Sequence, residues 1–65
     1  MKKYRVLYRL SERRDNQMVK TEEVEADTWR VDSDLVCLYR RERDGHEERV
    51  LEVPKARVLR INEVG

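Results

Sequence analysis

Few side chains in this 65-residue chain could do chemistry: His46, Ser11, Ser33, Cys37 and the carboxylates around Asp32. His46, the only histidine, follows Asp44-Gly45 at the tip of an expected hairpin. General-base catalysis needs a second group that orients the imidazole in a sheltered site, and a hairpin tip stands in solvent. Ser11 and Ser33 fall in expected turns, and neither sits in a nucleophile-elbow motif. Asp32-x-Asp34 matches the start of a calcium loop but lacks the central glycine and terminal glutamate that complete one. Cys37 lies in Leu-Val-Cys-Leu-Tyr and reads as a small buried hydrophobe. As the only cysteine it forms no internal disulfide, which suits a reducing, cytoplasmic setting. No pair of carboxylates has the apolar surround that would raise a pKa. These residues point away from an enzyme and imply no metal, no cofactor and no small-molecule substrate.

The elements that would position these groups are strands. Lys3–Leu10 alternates, with Tyr4, Val6, Tyr8 and Leu10 on one face and Lys3, Arg5 and Arg9 on the other. Period two marks a half-buried strand. The polar Ser11–Gln17 stretch is a loop. Met18–Ala26 combines β-branched residues with Glu22, Glu23 and Glu25. It reads as an exposed edge strand, and the shift in apolar phase between Val19 and Val24 suggests a bulge near Glu22-Glu23. Thr28–Val31 is a short strand with Trp29 and Val31 on one side, followed by a tight Asp32-Ser33-Asp34 turn. Leu35–Tyr39 is apolar at five consecutive positions and needs cover on both faces, so it is central. Asp44-Gly45 then turns the chain, because this pair supplies the positive φ angles that hairpins use. Arg49–Val53 returns, Pro54 stops it, one helical turn covers Pro54–Arg57, and Val58–Ile61, extending toward Val64, is the last strand.

The expected class is all-β: five or six antiparallel strands in a small barrel or roll that removes exposed edges, forming a single domain over residues 1–65. The chain is 38% hydrophobic and 45% charged and has no Phe. A core this thin is marginal alone, and oligomerisation is a usual remedy. No apolar stretch is long enough to span a membrane, and the Met1–Val6 start lacks the apolar run of a signal peptide.

The string Val-Leu-Glu-Val-Pro-Lys-Ala-Arg-Val-Leu-Arg-Ile resembles the ending of small Sm-like barrels, where a helical turn precedes the last strand. The spacing from Val24 to Ile61 also resembles that of short uncharacterised phage and bacterial all-β proteins. These resemblances imply a fold of strands, and the glycine and asparagine pattern of the RNA-binding Sm-like families is absent.

Charge is sorted along the chain. Residues 1–20 carry seven basic side chains against two acidic, and residues 21–36 carry six acidic against one basic, for a net +1 overall. Internal pairing accounts for this if the first two strands form a hairpin, with Arg5 and Arg9 facing Glu22, Glu23 or Glu25. Arg outnumbers Lys eleven to four, and its planar fork favours bidentate carboxylate contacts. The sharper reading is recognition. A protein-interaction module, such as a phage or bacterial accessory or inhibitor protein, would use Trp29, Tyr39, Arg40, Arg41 and Arg43, since Trp, Tyr and Arg dominate interface energetics. Its partners would be a second copy in a homo-oligomer, another protein, or both. The alternative is a nucleic-acid-binding small barrel using Arg5, Arg9, Arg13, Arg14 and Tyr8. The near-zero net charge argues against a dedicated nucleic-acid binder.

Overall fold

The computed structural model describes residues Lys2–Val64. Six strands and one 3-10 turn follow in order: β1 (Lys2–Arg9), β2 (Val19–Ala26), β3 (Thr28–Asp32), β4 (Leu35–Arg41), β5 (Glu47–Pro54), the turn η1 (Lys55–Arg57) and β6 (Val58–Val64). They form two three-stranded antiparallel sheets, ordered β2-β1-β6 and β3-β4-β5. The chain passes between the sheets twice. At β2–β3 only Asp27 intervenes, and at β5–β6 only η1 does. Asp27 fixes the first corner: its N–H donates to the Tyr39 carbonyl at 2.8 Å and its Oδ2 accepts the Arg41 N–H at 2.6 Å.

The period-two pattern decides which faces meet. Tyr4 and Val6 of β1, Ala26 of β2, and Val36 and Leu38 of β4 are buried together, with Tyr8, Val24, Val50, Leu51, Val58 and Ile61 packed around them. Val6 and Leu38 are completely buried and come from different sheets. β4 is buried at four successive positions, Val36 to Tyr39, as a central strand requires.

The expected barrel does not close, because each sheet stops at three strands among the described residues. The Cα atoms span 45 × 27 × 12 Å with a radius of gyration of 12.5 Å. A compact chain of this length would have a radius of roughly 11 Å. The molecule is therefore a flat two-layer plate whose sheet edges stay open.

Two local expectations need correction. β2 has no bulge near Glu22-Glu23: its pairing with β1 runs unbroken from Lys2↔Ala26 to Arg9↔Val19. Val24 faces inward with Ala26, and Val19, five positions away in an unbroken strand, falls on the outer face with Glu23 and Glu25. The bulges lie elsewhere, where the β1–β6 ladder skips Leu59 and the β4–β5 ladder skips Val50. At the β4–β5 hairpin only Gly45 has positive φ, at 91°. The Gly45 N–H donates to the Glu42 carbonyl at 3.0 Å and the Glu42 N–H to the His46 carbonyl at 2.7 Å. This is a three-residue loop with a left-handed last residue, and not the two-residue turn that Asp-Gly alone suggests. The tighter turn is Ser33-Asp34, where Ser33 carries a φ of 58°.

Candidate functional site

Trp29 and Val31 pair across the ladder with Leu38 and Val36, so both point to the core side of their sheet. They nevertheless remain 41% and 46% exposed. β3 is an edge strand, and the opposite sheet does not reach over it. Between them lies a groove of about 330 Å³ lined by Trp29, Val31, Val36, Val58, Leu59 and Ile61, with Lys55 and Arg60 at its rim. No carboxylate lines it. The floor is apolar and the rim positive.

Two other hollows differ in kind. One, about 440 Å³, lies among Arg9, Arg14, Gln17, Val19 and Leu59, and the other, about 450 Å³, among Glu12, Asp34, Pro54, Lys55 and Ala56. Neither contains an aromatic side chain, whereas docking sites are apolar concavities with a few polar groups.

The edges of the two sheets are unequal. β2 carries Lys20, Glu22, Glu23 and Glu25. β5 has a bulge at Val50 and ends on Pro54, and β6 has a bulge at Leu59. Charges, bulges and proline are the devices that discourage strand addition. β3, Thr-Trp-Arg-Val-Asp, has neither bulge nor proline, its two charges, Arg30 and Asp32, are opposite in sign, and its register is unbroken from Thr28↔Tyr39 to Asp32↔Leu35. A two-residue turn makes Asp32↔Leu35 the closing hydrogen-bonded pair, so Arg30 and Thr28 also bond toward β4. Trp29 and Val31 then present their N–H and C=O groups at the open edge, above the groove.

The other expected anchors are placed differently. Tyr39 is buried on the outer face of its sheet, under the Arg30 guanidinium at 4.0 Å from the ring centroid and that of Arg49 at 5.7 Å. Arg30 bonds Glu47 at 2.9 Å and Arg49 bonds Glu52 at 2.8 Å. The ring is the floor of a charged roof, so no partner reaches it. Arg40 reaches across to the Glu25 carbonyl at 3.4 Å, and Arg41 and Arg43 are exposed toward the β4–β5 hairpin, outside the groove.

The nucleic-acid set is not brought together. Arg5 pairs with Glu23 at 2.9 Å. Arg9 does not meet a glutamate; its Nη2 donates to the carbonyls of Arg13 and Asn16 and braces the β1–β2 loop. Arg13 and Arg14 are exposed on that loop. Tyr8 lies on the opposite face of β1 from Arg5 and Arg9, where its hydroxyl donates to Glu22 at 2.8 Å.

The Tyr8 hydrogen bond holds the Glu22 carboxyl below its ordinary range, helped by Lys20 at 3.2 Å. A depressed carboxyl stabilises the fold above its unfolded pKa and loses that contribution as pH falls through the folded value. Tyr8→Phe is therefore expected to lower the urea midpoint at pH 7, and the difference from wild type is expected to shrink as pH falls below the ordinary glutamate range. A pH-independent difference would mean that the phenol acts through packing alone.

His46 Nδ1 lies 2.8 Å from Asp44 Oδ2 at the loop tip, with both side chains mostly exposed. The His46 backbone N–H and ring hold the Asp44 carboxyl low. The pair closes a turn and encloses no substrate space. Cys37 is a buried free thiol.

Trp29 is the one groove residue that the sequence offers as an anchor; it sets Val31 on the same side of the strand, but does not bring Val58 and Ile61 beside them. The alternation of Trp29 and Val31 on an edge strand was the available signal. The comparisons with known proteins add no relative: no family model, curated protein or solved structure matches this chain.

Proposed function

We propose that the chain is a non-catalytic protein-interaction module, of the accessory or inhibitor kind, that captures an extended polypeptide segment at the β3 edge. The observation that carries this reading is the coincidence of an undefended strand with an apolar groove beneath it. Strand addition gains affinity from main-chain hydrogen bonds and specificity from pockets for alternate side chains. Trp29 is the anchor, and the positive rim of Lys55 and Arg60 favours a segment with apolar residues at alternate positions and an acidic neighbour. The open, two-layer form of the small-barrel plan supports this reading, because a closed barrel would leave no free edge.

Selection from a display library of random extended heptapeptides tests it. Binders are expected to alternate apolar residues, to contain Asp or Glu, and to be lost on the Trp29→Ala variant. A library that yields no Trp29-dependent binder would refute the reading. Tight, steeply salt-dependent binding of RNA or DNA in a parallel titration would instead favour nucleic acid. The dispersal of Arg5, Arg9 and Tyr8 over two faces and into internal bonds weighs against that outcome.

A further inference from the structure

We infer that the segment captured at this edge is β3 of a second copy, paired antiparallel about a two-fold axis through Val31. The inference rests on the strand-addition reading above. A two-fold axis normal to the sheet keeps each face on its own side, so residues paired across it must share parity. Three such registers overlap well. Centring on Trp29 sets Thr28 opposite Arg30. Centring on Arg30 sets that arginine against its own copy, which is repulsive. Centring on Val31 sets Val31 opposite Val31, each Arg30 opposite the partner's Asp32, and each Trp29 opposite the partner's Ser33.

The last register satisfies three independent demands. The first is charge: Arg30 and Asp32 lie on the same face of β3, and their side chains are 51% and 61% exposed despite their internal contacts with Glu47 and Arg49. Two opposite-charge pairs therefore form, related by the axis. The second is hydrogen bonding. The edge groups belong to Trp29 and Val31, so Val31 against Val31 is a bonded pair at the axis, and Trp29 lies opposite the partner's turn residue Ser33. The third is apolar cover. Trp29 and Val31 of both copies come to the core side of one continuous sheet, ordered β5-β4-β3-β3-β4-β5, and cover each other's grooves. The interface is isologous and closed, so it yields a dimer and no fibre. It also removes the one undefended edge of a plate with a small core.

Sedimentation equilibrium with the full chain, paired with the emission of its single tryptophan, tests the inference. A dimer is expected to appear with rising concentration, with a blue shift of Trp29 emission over the same range. Val31→Pro removes the N–H bonds at the axis on an edge strand that tolerates proline, and is expected to raise the dimer dissociation constant at least about tenfold. Asp32→Arg opposes two arginines and is expected to weaken the dimer as well. Circular dichroism identifies a variant that fails to fold, and the other variant then decides. A monomer at every concentration, or a dimer unmoved by either change, overturns the inference. If the monomeric chain still binds selected peptides through Trp29, the groove reading survives and only the identity of its occupant is wrong.

Discussion

Leu38→Ala is expected to unfold the domain at room temperature. Leu38 is completely buried on the central strand, between Trp29 and Leu51 across the ladders, in the cluster that includes Val6 from the other sheet. Replacing a buried leucine by alanine costs about 2–5 kcal/mol, the higher values where the site cannot collapse. A single core in a domain of this size rarely supplies more than roughly 3–5 kcal/mol in total. The expected signs are loss of amide dispersion in the NMR spectrum and loss of a cooperative urea transition. Leu38→Met keeps the volume and is expected to fold, at a cost under about 1.5 kcal/mol. A cooperatively folded Leu38→Ala variant within about 1 kcal/mol of wild type would mean that the two layers do not depend on this contact.

Tyr39→Ala is expected to be nearly as damaging, and for a different reason. Tyr39 does not join the inner cluster. It is covered on the outer face by Arg30 and Arg49, whose own charges are held by Glu47 and Glu52. Removing the ring takes away the surface on which both guanidiniums lie. It also uncovers Cys37, two residues along on the same face. The expected cost is about 3 kcal/mol or more, with Cys37 becoming reactive to a thiol reagent. Tyr39→Phe keeps the ring and loses only a long hydrogen bond from Arg49 Nη2, at 3.4 Å. Its expected cost is below about 1 kcal/mol, with Cys37 still protected. Equal losses in the two variants would show that the hydroxyl, and not the ring, holds the roof.

Much of the fold was legible because strand periodicity is local information. Tyr4-Val6-Tyr8, the five apolar residues from Leu35, and Pro54 before Lys-Ala-Arg each state their element within a few positions. The all-β class, the central place of β4, the turn near Pro54–Arg57 and the last strand followed from them. Closure was not legible. Whether two edges meet depends on sheet twist and on how far each strand runs past its partner, and no short window contains either. The Val19–Val24 phase shift misled as well. It looked like a bulge, but the strand is regular and Val19 is an apolar residue left exposed on its outer face.

Legibility of the site divides the same way. Trp29 could be named from residue type alone, and its exposure was a question of tertiary cover. Tyr39 has the same credentials as an anchor and fails because arginines from strands on both sides lie over it. The Arg5–Glu23 pair follows from hairpin register, whereas Arg9 satisfies loop carbonyls that no charge count would have found.

The pairing of β1 with β6 sets Lys3 beside Val64. The two ends of the described chain therefore leave the molecule at one place, and the backbone is almost a ring. A short tether across that gap and a cut at Asp44-Gly45 would make a permuted polypeptide that retains all four ladders, since the cut lies in a loop outside them. The order in which the strands are synthesised is, in this architecture, separable from the order in which they sit.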